Sequence, residues 1–428
     1  MILTGTIALM LLLMVAGIPV AFALLAAGAV GVTWIAGTDV LLGILATTPV
    51  SASASYEIIT VPMFILMAEL VVVSGVAQGL FQSFAVWVGR MPGGLGIATA
   101  MSGAAFGAIS GSSTAAAATL SSTSIPAMLK AGYDPKLAGG VVAISGTLAM
   151  LIPPSVALVL FGLIADVNIG DLLIGGIVPG LLVVMVISAT VLYLVWRDPA
   201  AAPRGRAYSF AEKFSSLRVT GPMMLLFFCV TGVIYTGIAT PTEAAAIGAL
   251  GALALSVAMG RLTVPALLAA CRRTVLTSCV VLAMIMTAHV FGTFLALTQA
   301  TPELVRWVQS LELSPWMVLC FIYVLYLVLG CFVDQIAIMI LTVPVVLPLV
   351  KALGFDPVWF GVVVVVLAEV GLVTPPVGLN VFVVARTAAR PVQEVFRGVW
   401  PHVVAHLAMI AALTVFPQLV LWLPATMK

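Results

Sequence analysis

Displacing the chain by 222 positions along itself lays Pro19 on Pro241, Pro126 on Pro348, Pro135 on Pro357, Pro153 on Pro375, Pro154 on Pro376 and Pro179 on Pro401. The 206-residue segments so compared hold 11 and 13 prolines, for which chance gives about 0.7 coincidences against the six found. The same displacement lays Gly132-Tyr133-Asp134-Pro135 on Gly354-Phe355-Asp356-Pro357, each preceded by an apolar stretch with a matched proline. The chain is therefore read as an internal duplication without gaps, and its fold must be one unit built twice.

The solvent for that unit follows from composition. Of 428 residues 63% are apolar and 7% charged, where a soluble domain carries roughly 25% charged residues. A hydrocarbon core of about 30 Å needs about 20 largely apolar residues per helix. Such stretches recur from Ile2 to Val195 and from Pro222 to Leu423, leaving no soluble domain. The first run, Ile2 to Trp34, lacks a basic leader and is read as two spans bent around Gly17 and Pro19 rather than as a cleaved signal. Cys229, Cys271, Cys279, Cys320 and Cys331 show no metal-ligand spacing and are expected to be buried small hydrophobes.

The expected fold is an all-α integral membrane protein made of two five-span units. Residues 1–196 form the first repeat, 197–221 a polar linker and 222–428 the second repeat. In the first repeat, spans are expected at about 2–17, 18–36, 57–78 and 172–196, with a short connecting helix near 80–90. Between them lie an apolar segment, about 94–129, interrupted at Gly111-Ser112-Ser113-Thr114, and a span, about 135–165, broken at Pro153-Pro154. The arms of the interrupted segment, about 16 residues each, are short for a crossing at 1.5 Å per residue, so it reads as a re-entrant hairpin. Its counterparts in the second repeat are a hairpin at about 316–351 and a broken helix at about 357–387.

Five crossings per unit is an odd number, so the second copy must run through the membrane inverted. With the N-terminus outside, Arg90, Lys130, Lys136, the basic residues from Arg197 to Arg218, Arg261, Arg272, Arg273, Arg386, Arg390 and Arg397 fall inside. Only Arg306, Lys351 and Lys428 fall outside, a division of 14 to 3 that satisfies the positive-inside rule. Both termini are thus expected to be periplasmic and the linker, 197–218, cytoplasmic.

Inverted repeats with discontinuous helices are the sequence signature of secondary transporters, which bind substrate and coupling ions at the breaks. At the first pair of breaks, Ser110 to Thr114 faces Gly146-Thr147 and Pro153-Pro154. Proline frees carbonyls one turn earlier, and hard cations take oxygen ligands. A neutral cage for a monovalent cation fits, and so does close helix packing along Gly103, Gly107 and Gly111. At the second pair, Val333-Asp334-Gln335 faces Gly371 to Asn380, with Thr374-Pro375-Pro376 and Gly378. Asp334 aligns with Ser112; it could ligate sodium or cap the second hairpin arm. Asn380 could serve the site or make a packing hydrogen bond.

Glu369, two residues before Gly371, could join the second site, a proton path or an interhelical hydrogen bond. Glu57 and Glu243 begin spans and read as interfacial, whereas Glu69 lies mid-span with no partner that sequence names. His402 and His406 share a helical face, but no third metal ligand is identifiable. His289 reads as a buried hydrogen-bonding residue. The apolar outer side of the first two crossings fits lipid or a partner.

Gly107-Ala108-Ile109-Ser110-Gly111-Ser112-Ser113-Thr114-Ala115, Ala131-Gly132-Tyr133-Asp134-Pro135, Ile152-Pro153-Pro154-Ser155 and Thr374-Pro375-Pro376-Val377-Gly378 together resemble the large membrane subunit of the tripartite ATP-independent periplasmic (TRAP) transporters, over essentially the whole chain. The resemblance implies an elevator-type, sodium-coupled carrier of the bacterial inner membrane that is not an enzyme. It implies a small four-helix membrane subunit and a soluble periplasmic binding protein as partners, and an organic acid anion such as a C4-dicarboxylate or sialic acid as substrate. Sodium would be the coupling ion, with no other cofactor, no transition metal and no nucleic acid. The expected sodium site comprises Gly111, Ser112, Ser113, Gly146, Pro153, Asp334, Gly371, Thr374 and Gly378; the residues expected at the substrate are Ser110, Thr114, Pro154, Pro375 and Asn380. The chain resembles the version unfused to the small subunit. Two rivals are a stand-alone sodium-coupled carboxylate carrier of similar architecture and an intramembrane serine protease pairing Ser112 or Ser113 with His289, which would not require an inverted duplication.

Overall fold

A computed structural model describes residues 2–427, all-helical with no strand among them. The first half runs α1 (Ile2–Val15), α2 (Val20–Ala36), α3 (Thr38–Ser53), α4 (Thr60–Ser74), α5 (Val76–Val88), α6 (Gly94–Ser110), α7 (Ser113–Lys130), α8 (Pro135–Thr147), α9 (Val156–Ala165), α10 (Ile169–Gly175) and α11 (Ile177–Arg197). The second runs α12 (Phe210–Tyr235), α13 (Pro241–Ala258), α14 (Val264–Leu297), α15 (Ala300–Ser310), α16 (Pro315–Phe332), α17 (Gln335–Ala352), α18 (Pro357–Gly371), α19 (Leu379–Thr387), α20 (Val392–Val415) and α21 (Gln418–Leu421). Displaced by 222, α7 coincides with α17, and α6, α8 and α9 match α16, α18 and α19 to within two residues at each end.

Local chemistry sets these bounds. After α7 the Gly132 amide donates to the Leu129 carbonyl and the Tyr133 amide to that of Met128; after α17, Gly354 donates to Lys351 and Phe355 to Val350. Both are Schellman closures, and they require the left-handed φ of 84° at Gly132 and 86° at Gly354. Asp134 and Asp356 then cap α8 and α18, accepting from the Lys136 and Val358 amides at 2.7 and 2.8 Å. Pro135 and Pro357 stand in the first turn, where a missing amide costs nothing. The repeated tetrapeptide is thus a helix stop joined to a helix start.

Seven of the described stretches are long and apolar enough to cross a membrane: Tyr56–Ser74, Ile169–Arg197, Pro241–Ala258, Val264–Leu297, Pro315–Phe332, Gln335–Ala352 and Val392–Val415. The chain is a multi-pass integral membrane protein. Four features depart from expectation. Residues 37–56, to which the sequence reading assigns no element, contain α3, while the matching stretch of the second half is absorbed into the continuous 34-residue α14. The expected linker ends early, because α12 begins at Phe210 on a Ser209–Glu212 capping box and bends by 56° between Arg218 and Thr220. The hairpin arms have 17 and 18 residues in the first copy and 18 each in the second, longer than the 16 expected. Four of the five cysteines are exposed and only Cys331 is buried, since in an apolar solvent a thiol gains little from an interior position.

Two groups of helices result. In one, α2, α4, α13 and α14 pack together, joined by Thr60 to Thr242 hydroxyls at 2.7 Å, by the Ser256 hydroxyl donating to the Leu70 carbonyl at 2.7 Å, and by an ion pair between Arg273 and Glu69 at 2.6 Å. Glu69 thereby has the partner that sequence could not name. In the other, α8 and α18 are buried from Leu137 to Thr147 and from Trp359 to Gly371 and are wrapped by the two hairpins, α9, α11, α19 and α20.

Candidate ion and substrate site

Each hairpin packs on the broken helix of its own copy and also on that of the other. The second arm α7 lies against α8 and α19, and its counterpart α17 lies against α18 and α9. First arms approach their own breaks backbone to backbone: a side-chain carbon on Gly107 would sit 2.7 Å from the Ala149 Cα, and one on Gly330 would sit 2.8 Å from the Gly371 Cα. Close packing by small residues is therefore real at both breaks. The same packing carries the oxygen-rich apices to the broken helices.

At the first apex Gly111 turns the chain with φ 55°. Ser112 caps α7, its Oγ 3.4 Å from the Ala115 amide and 3.3 Å from the Thr114 hydroxyl. Ser113 is buried and its hydroxyl donates to Asn380 Oδ1 of α19 at 3.5 Å, so the packing hydrogen bond considered for Asn380 is present and links the two copies. The Ser110 hydroxyl is buried without a hydrogen-bonding partner among the described residues. Gly146 packs on Ala117 of α7. Beyond Thr147 the chain unwinds through Leu151–Ser155, with a cis bond between Pro153 and Pro154, and restarts where the Ser155 hydroxyl accepts from the Leu158 amide at 3.2 Å and donates to the Met150 carbonyl.

The second apex repeats the plan. Val333 is extended, and Asp334 caps α17 by accepting from the Ile336 amide at 3.1 Å. Capping, one of the two roles considered for Asp334, is thus formed, as at its counterpart Ser112. Thr374 donates to the Val370 carbonyl at 2.6 Å, the Pro375–Pro376 bond is cis, and Gly378 at φ 60° donates its amide to the Cys331 carbonyl at 3.3 Å. Asn380 is buried, its backbone N–H donating to the Leu372 carbonyl at 3.1 Å, while its side-chain Nδ2 has no partner among the described residues.

Thus Ser113 and Asn380 touch directly, and Gly378 touches the end of the second hairpin's first arm. Pro153 and Pro154 are buried, whereas Pro375 is exposed. Sequence reasoning named Gln335 at the second apex but gave it no role; it is fully buried, with its Nε2 donating to the Val365 carbonyl at 3.2 Å. The 222-residue displacement lays it on Ser113, which is the signal that could have found it.

Outside the apices, a cleft of about 560 Å³ opens between the end of α3 with the turn that follows it, the end of α9, the start of α13 and the later part of α14, lined by Glu57, Asp166, Asn168, Thr240 and His289 among others. Glu57 and Glu243 are exposed, as an interfacial position requires. The Glu243 carboxylate accepts from the Thr240 amide at 2.8 Å and hydroxyl at 2.9 Å in a capping box that starts α13. His289 corrects expectation: its ring is exposed on the cleft, with Nδ1 2.9 Å from the Ile285 carbonyl, and neither Ser112 nor Ser113 lines that cleft. His402 and His406 are buried, and no group of three metal-ligating side chains occurs among the described residues.

Paired breaks, cross-packed helix pairs and buried oxygen atoms at the breaks are the features of a transporter. The comparison with known proteins agrees. Residues 7–419 match the family model described as tripartite ATP-independent periplasmic transporter, DctM component, and the chain belongs to that family of TRAP large permeases. It is 34% identical over 376 residues to the C4-dicarboxylate TRAP transporter large permease of Pseudomonas aeruginosa, covering 87% of each chain. It is 34% identical over 374 residues to the sialic acid large permease of Vibrio cholerae, covering 86% of each, and 32% identical over 417 residues to the ectoine/5-hydroxyectoine large permease of Ruegeria pomeroyi, covering 97% of this chain and 96% of that one. The solved YdaH transporter of Alcanivorax borkumensis shares the fold, with a TM-score of 0.65 at 15% identity, covering 94% of this chain and 98% of that one.

Proposed function

We propose that this permease imports an organic acid anion, such as a C4-dicarboxylate or sialic acid, across the bacterial inner membrane on an inward sodium gradient. It receives the anion from a periplasmic binding protein and works with a small four-helix membrane subunit. The observation that carries the reading is the Ser113–Asn380 contact: the apex of one copy's hairpin reaches the broken helix of the other, so an ion bound there would lock both copies together. Sodium would be held by hydroxyls and carbonyls at Gly111, Ser112, Ser113, Gly146 and Pro153, and at Asp334, Gly371, Thr374 and Gly378. The anion would lie between Ser110, Thr114, Pro154, Pro375 and Asn380, near the positive N-termini of α7, α9, α17 and α19.

The α8–α18 bundle with its hairpins would slide as one block against the α2–α4–α13–α14 group. Ten crossings with both hairpins re-entrant place the termini outside and the 197–218 segment inside, the arrangement that the 14 to 3 division of basic residues favours.

The test is uptake into proteoliposomes holding this chain and its small subunit, with labelled organic acids offered with and without the binding protein under a sodium gradient. Uptake needing both sodium and the binding protein is expected. Sodium-driven uptake without the binding protein would mark a stand-alone carrier, and sodium-independent uptake would sink the coupling.

A further inference from the structure

The segment from Arg197 to Arg218 is pinned through its backbone and bare along its side chains. The Asp134 amide donates to the Ala201 carbonyl at 2.8 Å and the Gly205 amide to the Gly89 carbonyl at 3.1 Å. Farther on, Ser83 Oγ donates to the Ser216 carbonyl at 3.1 Å and Trp87 Nε1 to Ser216 Oγ at 3.2 Å, so the first turns of α12 are clasped to α5. Phe210 and Phe214, four residues apart and hence on one helix face, nevertheless stay 80% and 68% exposed. Trp196, immediately before the segment, is 79% exposed.

Cations stand among these rings. The segment holds five Arg or Lys against two acids. The ion pairs among the described residues are Arg206 with Glu212, Arg273 with Glu69 and Arg390 with Glu394. Arg197, Arg204 and Arg218, all exposed, therefore have no acidic partner there. Lys213 Nζ lies 5.8 Å from the centre of the Trp87 ring and 5.7 Å from that of Phe210, so charge and apolar face form one surface.

Water hydrates such cations but gains nothing from exposed phenyl rings, and hydrocarbon takes the rings but not the guanidinium groups. The boundary between headgroups and acyl chains accepts both. Helix α12 supplies that placement: the 56° bend between Arg218 and Thr220 turns Phe210–Arg218 away from the span that follows, as a helix lying along the membrane surface must turn. Guanidinium groups bind phosphate through paired hydrogen bonds, and the cytoplasmic leaflet is the negatively charged one.

We propose that Phe210–Arg218, with Trp196, Arg197 and Arg204, is an interfacial element that gathers anionic phospholipid headgroups of the cytoplasmic leaflet. Which leaflet it meets rests on the topology given above. Because α5 leads into the first hairpin, headgroups held here also steady the approach to that hairpin.

Fluorescence quenching measures this at the segment itself. A bimane is attached at Ala207→Cys, on a background lacking the native cysteines, in the complex with the small subunit reconstituted into phosphatidylcholine vesicles. The quencher is phosphatidylglycerol or phosphatidylcholine, each with a nitroxide at the same chain carbon and at equal mole fraction. Both lipids should quench, phosphatidylglycerol about fivefold more effectively, the selectivity that surface attraction to one basic residue supplies. Arg204→Gln with Arg218→Gln should bring the two lipids to parity, Arg204→Lys with Arg218→Lys should keep the preference, and Phe210→Ser with Phe214→Ser should weaken quenching by both. Equal quenching before any of these changes, a preference untouched by the glutamine pair, or quenching by neither lipid overturns the proposal. Quenching that appears only when the small subunit is left out also overturns it and gives the surface to that subunit. Labelling of Ala207→Cys in cells by an impermeant maleimide added outside would sink the topology, while the quenching ratio still decides whether the segment gathers anionic lipid.

Discussion

Leu151–Ser155 and Val373–Val377 hold equivalent places in the two copies, each following a buried helix and carrying a cis proline pair. The first segment is buried throughout. In the second, Thr374 is half-buried and Pro375 to Val377 are exposed. The apices differ in the same sense, with Asp334 exposed where Ser112 is partly covered. The cause lies in the last long helix of each copy. Gly176, just before α11, and Gly180 within it press on Leu151 and Ile152, capping the first break. Their counterparts on α20 are Gly398 and His402, and Gly398 packs instead against Lys136 and Gly140 of α8. Equivalent cis-proline breaks thus acquire different access, with one glycine contact made within a copy and its equivalent between copies. An alternating-access carrier needs an inequality of this kind, which it exchanges from one side to the other.

The largest effect should come from Gly398→Val. Any side-chain carbon there overlaps the Lys136 carbonyl oxygen, and one on Gly176 would stand 2.7 Å from that of Leu151. Gly398→Val should cost about 3 kcal/mol or more and Gly176→Val about 1–2 kcal/mol, read as the fall in thermal unfolding temperature in detergent. Equal losses would mean that the two contacts are interchangeable and the asymmetry has another origin.

Next in size is chemical access. Val377 is 38% exposed and its counterpart Ser155 is 0%. On a background lacking the native cysteines, Val377→Cys should react with a polar maleimide about a hundredfold faster than Ser155→Cys, since reaching the latter requires local opening. Similar rates would show that the first break is not closed in the membrane.

Smallest are the sodium affinities. If sodium binds as proposed, Asp334→Asn, which replaces the carboxyl at the open apex with an amide, should raise the sodium concentration for half-maximal uptake about tenfold. Ser112→Ala, deleting a neutral hydroxyl at the covered apex, should raise it about threefold. Sodium dependence untouched by both would remove these residues from the ion site.

Much of this was legible in sequence because it is local. The Gly-x-Asp-Pro tetrapeptide stops one helix and starts the next through hydrogen bonds spanning at most six residues, and paired prolines interrupt a helix wherever they stand. The hairpin arms and breaks therefore lie close to where the repeat places them. Helix α3 escaped because Pro49 and a run of small polar residues, Thr47 to Ser55, obscure its apolar pattern. The continuous α14 escaped because Arg272 and Arg273 interrupt the apolar pattern, although they do not break the helix.

The candidate site divides along the same line. Ser112 and Asp334 are visible as caps from a few residues of context, whereas the contact of Ser113 with Asn380 spans 267 positions and that of Glu69 with Arg273 spans 204. The sequence by itself determined the membrane, the recurrence of the same helix order at a displacement of 222 and the breaks, because hydropathy, proline and glycine act on the backbone where they stand. Only the tertiary structure decided which break is covered and that each hairpin reaches the other copy. Apolar helix faces are chemically alike, and which of them meet is settled by shape complementarity summed over the whole bundle.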